Sequence, residues 1–91
     1  MSKEIKEDYD KFNEIRKAMQ ECEITLMPET DMRERVIVSD GVLTMASLEE
    51  LAILSKKLNV DVMITIQSET TNIHIFPSEE PSVHIDTIRH P

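Results

Sequence analysis

Apolar residues near the start of the chain recur three and four positions apart, with Lys, Glu and Asp between them. This spacing aligns the apolar side chains along one face and predicts an amphipathic N-terminal helix over residues 2–21. Such a face either covers a sheet or pairs with a second copy of the helix. The apolar positions are Ile5, Tyr9, Phe12, Ile15, Met19 and Cys22.

The clearest local pattern is ERVIVSDGVLTM, which predicts a β-hairpin over residues 34–46. Two runs rich in β-branched residues flank Asp40 and Gly41, and Asp-Gly is a dipeptide that favours the two-residue type I′ turn. In that register Val38 lies opposite Leu43, and both side chains face the core. The hairpin therefore assigns the core side of its two strands.

A second amphipathic helix is predicted over residues 47–58 by the segment SLEELAILSKKL. Ser47 followed three residues later by Glu50 matches a capping box, so Ser47 is expected to be the N-cap. Lys56 and Lys57 fall in the last turn, where they oppose the negative end of the helix dipole. The face expected to point inward carries Leu48, Leu51, Leu54, Ser55 and Leu58.

Strict alternation of apolar and polar residues predicts three strands within residues 60–88. The short loops at 68–71 and 77–81 suit antiparallel neighbours, so the three strands are expected to form a meander. In that register His74 lies directly opposite His84. The side chains expected on the core face are Val60, Val62, Ile64, Ile66, Ile73, Ile75, Val83 and Ile85.

Together these elements predict a single α+β domain over residues 1–91. The N-terminal amphipathic helix and the second helix pack on one face of a mostly antiparallel sheet, which is built from the β-hairpin and the three-stranded meander. The pattern leaves the strand order open. Because a chain of 91 residues buries a limited share of its surface, we expect a homodimer, formed through the first helix or an exposed strand edge.

Acidic residues outnumber basic ones by 18 to 10, which gives a formal net charge of −8. No Lys or Arg lies between Lys57 and Arg89, so the last third of the chain is expected to present a negative field. Direct nucleic-acid binding is disfavoured, because it depends on Lys and Arg that neutralise phosphates. A basic surface on another protein is the partner that this charge favours.

Cys22 is the single cysteine and Gly41 the single glycine. One cysteine excludes an intrachain disulfide and a Cys-rich zinc site, and one glycine excludes glycine-rich phosphate-binding loops and the GxSxG turn of a nucleophilic serine. The charged first residues are unlike a signal peptide, and no apolar run reaches membrane-spanning length. A cytoplasmic location, no membrane partner and no cofactor are therefore expected.

Two histidines define an alternative function. If His74 and His84 oppose each other beside Asp86, these side chains could share a metal ion or a small ligand, with His90 reaching in from the tail. A minor enzyme is a related alternative, with one histidine as general base and a nearby Ser or Thr hydroxyl as nucleophile. The spacing matches no recognised metal-ligand motif such as HExxH.

The function that the sequence favours is recognition of another protein, without catalysis. The strand face that carries the histidines also carries Met and Phe, residue types enriched at the centre of protein interfaces. The loop PSEEPS is stiffened by two prolines and presents adjacent carboxylates, which lowers the ordering cost of binding. An inhibitor, an immunity protein or an adaptor that covers a basic surface fits this pattern. The residues expected to contact the partner are Met63, His74, Phe76, Glu79, Glu80, His84 and Asp86.

Overall fold

The computed structural model describes the backbone of residues 3–87 and the side chains of residues 8–86. These residues include two helices and four strands. The sheet is mixed but mostly antiparallel, and this confirms the predicted α+β class. Three residues that entered the predictions lie outside the described residues. They are Ser2, Ile88 and His90. The helices are α1 (Lys3–Glu21) and α2 (Met45–Leu58), and the strands are β1 (Val36–Asp40), β2 (Val60–Ile66), β3 (Thr70–Pro77) and β4 (Val83–Thr87).

The first helix packs its apolar face into the core, one of the two arrangements that its spacing allows. Phe12, Ile15 and Met19 are buried there, whereas Tyr9 is half exposed. The side chain of Ile5 lies outside the described residues. Most of the described part of this apolar face is therefore buried within its own chain.

Among the described side chains, two ion pairs connect α1 to the rest of the molecule. Arg35 Nη2 lies 2.8 Å from Asp8 Oδ2, and Lys57 Nζ lies 2.9 Å from Glu14 Oε1. The hydrogen bond to Glu14, with its negative charge, raises the pKa of Lys57 above the usual lysine value. The Lys57–Glu14 pair is exposed to solvent and the Arg35–Asp8 pair is partly buried, so the first orients α1 more than it stabilises the fold.

The predicted hairpin over residues 34–46 is wrong, because the chain leaves the sheet after Asp40 instead of turning back. Gly41 has a φ of 77°, its N–H donates to Glu69 O (3.0 Å), and its carbonyl accepts from Thr71 Oγ1 (2.6 Å). A type I′ turn needs positive φ at both central residues, and Asp40 does not have it. The glycine instead directs the chain past the β2–β3 turn and into α2.

The second helix begins at Met45, earlier than predicted, and its N-cap is Thr44 rather than Ser47. Thr44 Oγ1 accepts from Ser47 N–H (3.1 Å), and Ser47 Oγ donates to Thr44 O (2.7 Å), so the predicted capping box with Glu50 is not used. Asn59, with a left-handed φ of 56°, closes the other end. The predicted inward face is confirmed, since it is buried or packed against the core at Leu48, Leu51, Leu54, Ser55 and Leu58.

The strand order is β1–β3–β2–β4, which corrects the predicted meander over residues 60–88. β2 and β3 are antiparallel neighbours as expected, but β4 pairs with β2, and in parallel. β1 pairs antiparallel with the other edge of β3, so β1 and β2 run in the same direction with β3 between them. His74 on β3 and His84 on β4 are therefore separated by β2 and do not oppose each other.

The register between β2 and β3 differs from the predicted one by two residues. The predicted loop at 68–71 would pair Ile64 with Ile75, whereas Ile64 lies opposite Ile73. A shift of two residues keeps every side chain on its predicted face, because side chains alternate with a period of two along a strand. The apolar set therefore shares one side as predicted, although Ile85 is 55% exposed at the edge of the sheet.

The loop at residues 78–82 passes across the beginning of β2 and is hydrogen-bonded there. Val62 N–H donates to Ser82 O (2.9 Å), and Asp61 Oδ1 accepts from both the N–H (3.0 Å) and the hydroxyl (3.2 Å) of Ser82. A loop of this length spans the roughly 10 Å between strands two positions apart in a sheet. Loop length alone therefore does not distinguish a hairpin from this crossing.

The helices cover one face of the sheet, and within the described residues no element covers the other face over β2, β3 and β4. The buried apolar cluster joins Phe12 and Met19 of α1 and Leu51 of α2 to the inward side chains of the strands. Among the described residues, neither helix is long and apolar enough to span a bilayer. We call the open side of β2, β3 and β4 the outer face, and its side chains are Asp61, Met63, Thr65, Asn72, His74, Phe76, His84 and Asp86.

Candidate functional site

Side chains cross the outer face in three rows, because opposite residues of paired strands lie side by side. The predicted partner-contacting residues of the three strands all lie on this face, even though the predicted strand order is wrong. Parallel pairing of β4 with β2 preserves the face because the alternation within each strand is unchanged. The rows are His74–Met63–His84, Asn72–Thr65–Asp86 and Phe76–Asp61.

The direct opposition on which the predicted metal or ligand site depended is absent. His74 and His84 flank Met63 from opposite sides, so their backbones are about 10 Å apart, two strand spacings. Asp86 lies in the next row, opposite Thr65. Among the described side chains, no group of three His, Cys, Asp or Glu residues is placed to hold a metal ion. The geometry thus keeps apart the ligands that the alternative function required.

A short hydrogen-bonded chain joins Asp61, Ser82 and His84. Ser82 Oγ lies 2.8 Å from His84 Nε2 and 3.2 Å from Asp61 Oδ1, which also accepts the Ser82 N–H. In a serine nucleophile the histidine lies between the serine and the carboxylate, so that it takes the hydroxyl proton while the carboxylate orients its ring. Here the serine is central and the carboxylate competes for its proton. The arrangement holds the loop to β2 and leaves the hydroxyl poorly activated.

The centre of the outer face is apolar and exposed. Met63 is 37% and Phe76 46% accessible to solvent, although each belongs to a strand inside the sheet. The imidazole of His74 stacks on the ring of Phe76, with centroids 6.2 Å apart and planes 7° from parallel. This stacking restricts the Phe76 ring, so the exposed aromatic surface is largely preformed.

Carboxylates lie on two sides of this apolar centre. Glu79 and Glu80 are exposed in the loop at the end of the sheet where Phe76 lies, and Glu80 N–H donates to Ser78 Oγ (3.1 Å). Asp86 is exposed on the β4 side. None of the side chains that form the outer face is Lys or Arg. The predicted partner-contacting residues therefore form an apolar centre with an acidic border.

A separate groove of about 390 Å³ lies between α1 and residues 26–32. Its lining includes Tyr9, Arg16, Met27 and Met32, and Arg16 is the charged residue among those that line it. A groove with no carboxylate, histidine or second cation offers no acid and base pair for catalysis. It therefore gives no support to the enzymatic alternative.

Sequence reasoning missed two features of the outer face and its border. One is the bond between Asp61 and Ser82, which fixes the position of the loop before β4; the residues are 21 positions apart and no local pattern links them. The other is the exposure of Ile85, which the alternation placed in the core. A strand at the edge of a sheet has a neighbour on one side only, so its inward side chains are less well covered, and the strand order was needed to see this.

Comparison with models of known protein families, with curated proteins and with solved structures finds no match for this chain. No functional property is therefore carried over from a relative.

Proposed function

We propose that this chain binds another protein through its outer face and does not act as a catalyst. The observation that supports this most is the exposure of Met63 and Phe76 on a sheet face that no described element covers. Apolar side chains surrounded by polar and charged groups are typical of protein interfaces. Phe76, held by its stacking on His74, is the expected anchor of the contact.

The acidic border favours a partner with a basic surface. The net charge is −8, and Glu79 and Glu80 project from a loop that is closed by Pro77 and Pro81. Complementary charge speeds association and selects against acidic partners. An inhibitor, immunity or adaptor function fits these features, in which the chain covers a basic site of its target. Direct binding to nucleic acid is disfavoured by the same charge.

A non-catalytic function is supported by the geometry at Ser82 and His84. The carboxylate of Asp61 bonds Ser82 and not the imidazole of His84, so within the described residues the histidine lacks the carboxylate that orients the base of a nucleophilic serine. A cytoplasmic location is part of the proposal, because Cys22 is the single cysteine and has no partner for an intrachain disulfide. The proposed function also includes association with a second copy of the chain.

The proposal is tested by affinity capture from an extract of the source organism, at about 0.15 M salt, with mass spectrometry of the retained proteins. The outer-face variant is Met63→Ala/Phe76→Ala. The control variant is Tyr9→Ala/Ile53→Ala, which removes comparably exposed apolar side chains, 52% and 58% accessible, from the helices. Circular dichroism and thermal unfolding verify that both variants are folded.

We expect one or a few basic proteins to be retained by the wild type and by the control. The outer-face variant should bind them at least about thirtyfold more weakly, because anchor residues contribute roughly 2 kcal/mol or more. Higher salt and Glu79→Lys/Glu80→Lys should also weaken the complex. Equal retention by both alanine variants, or no specific retention by the wild type, would contradict the proposal.

A further inference from the structure

β4 has one edge that is unpaired within the described residues. Its other edge pairs with β2, where Val62 N–H donates to Ser82 O (2.9 Å). In a parallel ladder, alternate residues of a strand bond to the same neighbour. The N–H and C=O groups of Val83, Ile85 and Thr87 therefore point away from the sheet, where an added strand would meet them.

The opposite edge of the sheet, at β1, is closed by the chain itself. Val36 and Asp31 exchange two backbone hydrogen bonds of 2.9 and 3.1 Å, and Asp40 N–H donates to Thr25 O (2.9 Å). Residues 25–31 thus occupy the edge that β1 would otherwise present. Proteins commonly protect sheet edges in this way, and β4 lacks such cover among the described residues.

The open edge is also apolar. Ile85 is 55% accessible on the helix side of β4, although its neighbours in the same row, Ile64 and Ile73, are fully buried. A strand added beside β4 would cover Ile85 and continue that apolar row. The edge therefore offers both backbone hydrogen bonds and a hydrophobic contact.

We propose that two copies of this chain pair antiparallel through β4, about a twofold axis at Ile85, so that their sheets become continuous. Ile85 then lies opposite Ile85 of the second copy, and Val83 lies opposite Thr87. These pairs exchange roughly six backbone hydrogen bonds. On the outer face, the imidazole of His84 lies opposite the Asp86 carboxylate of the second copy, and the same contact recurs on the other side of the axis.

Charge favours this register over the two registers in which the twofold axis passes through Asp86 or through His84. A twofold axis at Asp86 would place two carboxylates opposite each other, and an axis at His84 would place two imidazoles opposite each other. Like groups directly opposite across strands are destabilising, whereas an imidazole and a carboxylate attract or hydrogen-bond. The axis at Ile85 alone turns both residues into complementary pairs and brings the exposed isoleucines together.

This dimer specifies the self-association included in the proposed function and does not depend on the basic protein partner. The contact is smaller than a standard interface, and each copy carries a charge of −8, so association is weak and needs salt to screen the repulsion. We expect a dissociation constant on the order of 0.1 mM at about 0.3 M salt.

Sedimentation equilibrium up to about 1 mM protein measures this constant. Ile85→Pro removes the outward N–H and leaves the bonds to β2 intact, and His84→Asp sets a second carboxylate against Asp86 of the other copy. Each change should raise the dissociation constant at least about tenfold, a clear loss on the scale of mutational effects at interfaces.

The double variant His84→Asp/Asp86→His exchanges the two groups. It should restore the dissociation constant to within about threefold of wild type, since the cross-strand pair is re-formed. Ser68→Asp makes the same change of charge on the β2–β3 turn and should have little effect.

Several results would overturn the dimer. The wild type could stay monomeric throughout the concentration range, or Ile85→Pro could associate as tightly as the wild type. The double variant His84→Asp/Asp86→His could also keep the raised dissociation constant of His84→Asp. Thermal unfolding of each variant shows whether it remains folded. None of these outcomes changes the capture result for Met63→Ala/Phe76→Ala, so the two proposals fail separately.

Discussion

Asp61 connects the loop before β4 to the start of β2. Its carboxylate accepts two hydrogen bonds from Ser82, and the serine hydroxyl in turn contacts His84. Hydrogen bonds to a charged acceptor are among the stronger polar contacts in proteins. At the scale of single residues, this contact places the first residues of β4 beside β2, and with them His84 on the outer face.

Asp61→Ala should lower the free energy of unfolding by about 1 to 2 kcal/mol, because Ser82 loses an acceptor for both its N–H and its hydroxyl. Asp61→Asn should lose less, since its amide oxygen still accepts. Urea unfolding followed by circular dichroism measures both changes.

The matched control for Asp61 is Glu69→Ala, which removes an exposed carboxylate from the β2–β3 turn. We expect this variant to unfold within about 0.5 kcal/mol of wild type, as is usual for surface substitutions. If Asp61→Ala were no more destabilising than Glu69→Ala, the carboxylate would not anchor the loop.

At the scale of elements, local patterns predicted the presence and the faces of most elements but, apart from the β2–β3 pair, not their neighbours. Period-three-and-four spacing found both helices, and alternation found β2, β3 and β4. Pairing depends on contacts between distant residues, such as Asp61 with Ser82, and these have no signature in the local pattern. The Asp-Gly turn was misread for the same reason, because positive φ at Gly41 serves a contact with the distant Glu69.

Engineered disulfides distinguish the two arrangements of β4. In a Cys22→Ser background, Thr65→Cys/Asp86→Cys joins residues directly opposite on β2 and β4, whose spacing of about 4.8 Å suits a disulfide. Asn72→Cys/Asp86→Cys joins residues that would be opposite only in the predicted meander. Mass spectrometry of free thiols after mild oxidation should find the first pair bonded and the second reduced, and the reverse result would contradict the strand order.

At the scale of the whole molecule, the sheet has one face covered by helices and one face left open by the part of the chain that the structure describes. Both helices contribute to the same buried cluster, and the outer face is left with an apolar centre and an acidic border. The sequence predicted which side chains of β2, β3 and β4 share this face, because a register shift of two residues and a change of neighbour both preserve alternation. It could not predict the separation of His74 from His84, since that depends on which strand lies between them.

The outer face as a binding surface is tested most directly by mapping the contact on the protein itself. ¹H–¹⁵N correlation spectra are recorded while the basic protein captured from the extract is added. We expect the largest changes at Met63, His74 and Phe76 and in the loop with Glu79 and Glu80, and little change at Ile53 on α2. Changes centred on the helices, with the outer face unaffected, would contradict the proposed function.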